Sequence, residues 1–225
     1  MAEMKQISGG IVKVNDWSDM PRYAREMLLW SRTKECRDRN YLFSYVADKI
    51  SEKFKDNKPL LNILDVCGSS GYFFYWLDER MHNRFVYRVV DVTPAFLELG
   101  KREFEKTSNI FFEYADIHRL VYPEAVFDVV VCLTAMRHLP DIVRPISELL
   151  RVSKKYVFFT VLISDTKLKE HVSEPTQKNE TALFSFNTYT KEDVLKNIPK
   201  NYSVSLTEIS KEEKFSLYLI EVIKK

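Results

Sequence analysis

The sequence lacks any paired-cysteine spacing: Cys36, Cys67 and Cys132 are odd in number, far apart and never in C-x-x-C. This argues against a disulfide framework or a zinc site, and no metal site is expected. Long apolar runs are also missing. No stretch approaches the ~18 residues of a membrane span, and the N-terminal MAEMKQISGG has no apolar core of the kind a signal peptide needs. The expectation is a cytoplasmic protein with no membrane partner. Charge of one sign is absent too. A net charge of +2 gives no broad electrostatic footprint for DNA or RNA, which disfavours nucleic acid as a partner. There are no internal repeats or low-complexity tracts, and no Ser-His-Asp or Cys-His arrangement is evident. What remains is ordinary for a soluble globular protein: 45% hydrophobic and 29% charged, in 225 residues that suit one domain. Only the aromatic content, 13%, is high.

The stretch Leu61 to Phe74, LNILDVCGSSGYFF, organises the rest. An apolar run, Leu61 to Val66, ends in the small-residue turn Cys67-Gly68-Ser69-Ser70-Gly71, and an apolar-aromatic run starts at Tyr72. This pattern predicts a buried parallel strand, a turn that can approach a ligand closely, and a helix. The remaining chain alternates in the same way. FVYRVVD (Phe85 to Asp91), IFFEYAD (Ile110 to Asp116), FDVVVCL (Phe127 to Leu133) and KKYVFFTVLI (Lys154 to Ile163) read as further strands. Helices are expected between them, over about Tyr72 to Arg80, after the cap-like Thr93-Pro94, and over Asp141 to Val152.

Residues 1 to 15 are weakly patterned and are expected to be loose or partly docked. Trp17 to Phe54 has helical spacing in two segments, which can cap a pocket or cover the sheet. Ser164 to Asn187 is polar and almost aperiodic until ALFSF, and is expected to be a long loop or lid. Thr190 and Asp193 suggest a capping box before a short helix. Tyr202 to Ile209 and Phe215 to Ile223 alternate as an antiparallel hairpin. The fold class expected is therefore α/β: a doubly wound, mostly parallel seven-stranded sheet, helices on both faces, a C-terminal antiparallel hairpin and an N-terminal helical cap. Residues 1–59 would form the cap and 60–225 the α/β unit, together one compact domain.

Three aspartates, Asp65, Asp91 and Asp116, close three successive strands. In a parallel sheet those ends share one side, where an adenosine could sit. A carboxylate after the second strand has two acceptor oxygens, enough for both ribose hydroxyls. A strand-ending aspartate can equally cap the next turn.

With these motifs in order, the chain from about Leu60 onward resembles a class I (Rossmann-like) S-adenosylmethionine-dependent methyltransferase. ILDVCGSSG resembles the family's first motif, VVDVTPAFLELGKREF the ribose-binding second, YADIHRL the adenine-binding acid, and FDVVVCLTAMRHLPD the strand-four motif. The final hairpin resembles the family's distinguishing ending. The family usually has glycine where Cys67 and Ser69 stand, so the turn departs from the pattern while Gly68 and Gly71 keep it small.

The resemblance implies S-adenosyl-L-methionine as cofactor and S-adenosyl-L-homocysteine as product. It implies that Asp65 to Gly71 line the methionine moiety, with the Asp65 carboxylate near its amino group. Asp91 would hold the ribose and Val92 pack on the adenine. Asp116 would accept from the adenine amine, with the Ile117 N–H facing a ring nitrogen, and Leu133 and Thr134 would lie below the sulfonium. If the acceptor needs a general base, His138 in the loop MRHLP is the best placed of the four histidines; His118 lies nearer the adenine. Trp17, Tyr23, Trp30 and Tyr41 are candidates for the pocket wall or for plain core. The Arg-rich run Arg32 to Arg39 reads as a solvated face or an acidic-substrate contact. The function expected is methyl transfer to a small-molecule acceptor. A catalytically degenerate binding or regulatory protein is the alternative, supported by the altered turn. Acceptor identity and oligomeric state are not legible.

Overall fold

The computed structural model describes residues 11–13, 25, 29, 33, 41–56, 60–166, 169–175 and 181–225. Its centre is a seven-stranded sheet in the order β4-β3-β2-β5-β6-β10-β9. Strands β2 (Leu61–Val66), β3 (Phe85–Asp91), β4 (Ile110–Tyr114), β5 (Phe127–Cys132) and β6 (Ser153–Ile163) run parallel. β10 (Ser216–Ile223) lies antiparallel between β6 and β9 (Ser203–Lys211), as the alternation of the last two segments predicts.

The central strands read as unbroken apolar runs because both of their faces are buried. Successive side chains enter different cores. Leu61 and Ile63 join one apolar cluster, Leu64 and Val66 the other; Val129 and Val131 join the first, Val130 and Cys132 the second. Helix α1 (Tyr41–Lys53) and α2 (Phe74–Met81) cover the first face, and α3 (Pro94–Glu103) connects β3 to β4. α4 (Val143–Val152) covers the second face with Ile146, Leu149, Leu150 and Val152. At about 1.5–3 kcal/mol per buried aliphatic side chain, that stripe is enough to hold the helix without a capping bond.

α1 shows why its segment is helical: Leu42, Phe43, Val46, Ala47 and Ile50 form a single buried stripe. It lies on the sheet rather than over a pocket. Phe43 packs 5.3 Å from Trp76, and Lys49 and Lys53 both reach Glu221 of β10, at 3.1 and 2.6 Å. Tyr41 is exposed and stacks on Tyr45. The earlier helical segment, with Trp17, Tyr23, Trp30 and the Arg32 to Arg39 run, falls outside the described residues.

One expectation is corrected. Ser164 to Asn187 is not a long loop: β7 (Lys169–Pro175) and β8 (Thr181–Asn187) form an antiparallel pair. The N-terminal stretch is docked in part, as one of its two expected states: β1 (Ile11–Lys13) pairs parallel with β8 to complete a second, three-stranded sheet. The polar sequence of β7 hides the first pairing, because backbone hydrogen bonds do not require an apolar face. Three residues are too few to show any period in β1.

A further difference is local. Thr93 makes no side-chain cap for α3, and the Asp91 carboxylate takes the Thr93 N–H instead, at 2.9 Å. By contrast Thr190 and Asp193 form the expected capping box in front of α5 (Lys191–Leu195). From β2 the chain winds outward through β3 to β4, then returns to β5 on β2's other side. The carboxyl ends of β2 and β5 thus flank the topological switch point, where open α/β sheets bind ligands.

Candidate active site

At the end of β2 the backbone must reverse into α2 within a few residues. Cys67 and Ser69 both take φ 56°, and Gly71 takes φ 78°. An L-residue in this left-handed region costs about 1–2 kcal/mol relative to glycine. Hydrogen bonds hold the turn against that cost: Gly68 N–H to the Val90 carbonyl (3.2 Å), Gly71 N–H to Gly68 (2.9 Å) and Ser69 N–H to Asp91 Oδ2 (3.0 Å). Gly68 is needed for space. A Cβ there would stand 2.4 Å from Asp65 Oδ2 and 2.9 Å from Val89 Cγ1. The cysteine and serine therefore do not reshape the turn. They adopt the left-handed conformation that glycine would take.

Asp91, at the end of β3, is 7% exposed and accepts one backbone N–H on each oxygen, from Ser69 and from Thr93. Burial raises its pKa, and those N–H groups oppose the rise. An ionised carboxylate offers about four lone-pair positions, more than these two N–H groups fill. Asp116 lies just past β4. Its Oδ1 accepts the His118 N–H at 2.9 Å and faces the His118 ring Nδ1 at 2.8 Å. Partial burial pushes its carboxyl up, yet the hydrogen bonds and charge of His118 prevail and hold it below the usual range.

These groups border one cavity of about 330 Å³. Cys67, Ser69, Asp91, Val92, Asp116, Ile117, Thr134 and His138, all legible in the sequence, line it. Asp65, Gly68, Gly71 and Leu133 do not border it. Asp65 is buried behind the turn, where the Tyr87 hydroxyl donates to its Oδ2. Burial raises its pKa to about 7; the Tyr87 hydrogen bond opposes that shift and the nearby Asp91 charge adds to it. Leu133 belongs to the core on the α1 side. His118, expected near the adenine, also lines it, and Tyr72, Thr93, Phe96, Ala135, Arg137 and Leu139 complete the lining. Most of these adjoin a residue the sequence does single out, and adjacency to a motif is the signal that could have found them.

Thr134 is the third non-glycine lining residue at positive φ, 66°, and its N–H donates to the buried Thr160 Oγ1 at 2.7 Å. Strain in a β-branched residue persists only where its surroundings over-determine it. After it, a 3₁₀ turn, Met136–His138, carries Arg137 and His138 to the cavity. Strand β8 packs on that turn: Phe186 lies 5.1 Å from the His138 ring, and Asn187 Nδ2 donates to the Arg137 carbonyl at 3.2 Å. Arg137 Nε stands 3.4 Å from His138 Nε2. Cys67 and Cys132 are free thiols. Contact with Cys132, then burial, pushes the Cys67 thiol far up, so it is not a thiolate nucleophile at neutral pH. Among the described residues no cluster of His, Cys, Asp or Glu could hold a metal ion, and no helix is long and apolar enough to cross a membrane.

The profile of a methyltransferase domain family matches residues 63–156, which spans β2 to the start of β6. A curated relative, demethylmenaquinone methyltransferase of Deinococcus radiodurans, is 34% identical over 91 residues, 40% of this chain. The match spans 37%, a little over a third, of that relative's length. Among solved structures, an S-adenosylmethionine-dependent methyltransferase of Clostridium acetobutylicum superposes with TM-score 0.65 at 14% identity, over 89% of this chain and 98% of that one. Magnesium protoporphyrin IX methyltransferase of Synechocystis, solved with S-adenosylmethionine bound, gives TM-score 0.57 at 14% identity, over 81% and 79%.

Proposed function

We infer that this chain is a class I (Rossmann-like) S-adenosylmethionine-dependent methyltransferase, a reading supported by the matching domain profile, the curated relative and the shared fold, that it binds S-adenosylmethionine in the cavity at the β2/β5 switch point, and that it transfers the methyl group to a small-molecule acceptor. One observation carries the reading. The buried Asp91 carboxylate borders a cavity of about 330 Å³, one oxygen held by the Ser69 N–H and the other by the Thr93 N–H. A carboxylate so fixed can offer one oxygen to each of a pair of ribose hydroxyls. Val92, Phe96, Ile117 and Leu139 supply apolar walls for a planar base, and Asp116 an acceptor for its amine. The turn from Cys67 to Gly71 takes the amino-acid end, with Asp65 and Tyr87 bracing it from behind. Thr134, backed by Leu133 and Thr160, forms the wall next to the acceptor.

When bound, the cofactor supplies a methyl group already made electrophilic by its sulfonium. The protein's part is to position the acceptor in line with that methyl and to exclude water. A hydroxyl or ammonium acceptor has a proton to lose. His138, on the cavity wall, is the proposed base for it, its Nε2 taking the acceptor's proton in place of its long contact with Arg137 Nε. The small-molecule assignment rests on the size of the cavity and the near-neutral charge. The curated relative's acceptor is not carried over, because the similarity covers too little of either chain.

Isothermal titration tests the reading. Wild-type protein should bind S-adenosylhomocysteine, and Asp91→Ala should lose about 10- to 100-fold in affinity, the worth of hydrogen bonds to a charged group. Equal affinity in the variant contradicts the ribose assignment, and no wild-type binding at millimolar ligand contradicts the cofactor. For the base, His138→Ala should lower turnover by about 10²-fold or more at neutral pH. Unchanged turnover removes His138 from that role.

A further inference from the structure

Part of the cavity lining, on the loop after β5, has a different chemistry from the two carboxylates. The Arg137 guanidinium carbon lies 4.9 Å from the Phe186 ring centroid, and the same ring lies 5.1 Å from His138. Arg137 Nε points at His138 Nε2, and the Arg137 backbone is tied to β8 through Asn187. Three side chains from two separate elements thus brace one another, with Arg137 and His138 on the cavity surface.

We propose that this wall recognises an acceptor bearing a carboxylate, with Arg137 as the residue that selects it. The proposal rests on the cofactor reading above, which assigns the far wall to S-adenosylmethionine and leaves this one to the acceptor. Asp91 and Asp116 lie on the nucleoside side, each already engaged by N–H groups, and Arg137 lies on the loop after β5. A guanidinium stacked on an aromatic face keeps a fixed plane, and its fork of donors matches the two oxygens of a carboxylate. One fork and a nearby imidazole suit a single carboxylate better than a phosphate, for which helix N-termini or several cations are the usual cradle. Tyr72 on the cavity lining offers a ring to an aromatic or otherwise flat acid.

The test uses full-length protein saturated with S-adenosylhomocysteine. Benzoate, 4-hydroxybenzoate and 4-hydroxyphenylacetate are titrated beside their primary amides, which match them in shape but carry no charge. At least one acid should bind about tenfold or more tighter than its amide, the scale of a charge-assisted pair. That preference should fall below about threefold in Arg137→Met and Arg137→Gln, and return in part in Arg137→Lys. Two neutral variants guard against one that fails to fold. Affinity for S-adenosylhomocysteine should stay unchanged in all three. Wild type with no preference for any acid, including no binding of either member of a pair, overturns the proposal while leaving the cofactor reading intact. So does an acid preference that survives in the neutral variants. A neutral variant that loses S-adenosylhomocysteine affinity reassigns Arg137 to the cofactor. Wild type that binds no S-adenosylhomocysteine removes the cofactor reading, and this proposal with it.

Discussion

Asp65 sits 3% exposed beneath Gly68, with the Tyr87 hydroxyl as its hydrogen-bond donor. Its pKa is raised from an ordinary value near 3.8 to about 7, first by burial. Between those values the folded protein holds a proton that the unfolded chain has released. Stability from this group is therefore complete below about pH 4 and is lost as pH rises toward 7. Asp65→Asn copies the protonated state. Urea denaturation should show the variant's advantage over wild type growing from near zero at pH 4 to a few kcal/mol at pH 8, with ~4 kcal/mol as an upper bound. A constant difference across that range contradicts the account. At this scale the sequence locates the turn and its aspartates but cannot show which of them face a ligand. Asp65, Asp91 and Asp116 look alike as strand ends. Only packing makes Asp65 a buried brace and Asp91 a cavity wall, because that depends on Tyr87 from the next strand.

Elements place these residues, and β10 anchors one of them. Glu221 is 5% exposed and takes both Lys49 and Lys53 of α1. Burial pushes its carboxyl up, but the two lysines prevail and hold it below the usual range. Its contribution is present at neutral pH and is lost as pH falls through that lowered pKa. Glu221→Ala should lower stability by about 1 kcal/mol at pH 7, a modest figure because both lysines reach solvent. The deficit should shrink in denaturation curves below about pH 4, and one that persists in acid would point to packing instead. The parallel strands were legible because burial on both faces leaves continuous apolar runs. The pair β7 and β8 was not: KEHVSEP has no apolar period, and its partners come from the other end of the chain and from across a turn. That pair matters to the site, since Phe186 and Asn187 of β8 set the 3₁₀ turn bearing Arg137 and His138.

Across the whole molecule, strand order does what no single motif can. Winding outward from β2 to β4 and back to β5 gathers the ends of β2, β3 and β5 and the loop past β4 around one cavity. Motif order in the sequence already implied this arrangement, and with it the terminal antiparallel strands. The wall proposed for the acceptor is less legible, because its members come from distant segments, Asn187 lying 50 residues beyond Arg137. The proposed function turns on Asp91 holding the ribose of S-adenosylmethionine in this cavity. A crystal structure of the protein with S-adenosylhomocysteine is the decisive measurement. Both ribose hydroxyls should lie within about 2.5–3.0 Å of the Asp91 carboxylate oxygens, with the Ser69 and Thr93 N–H bonds retained. A nucleoside bound elsewhere, or with its ribose turned from Asp91, would contradict it.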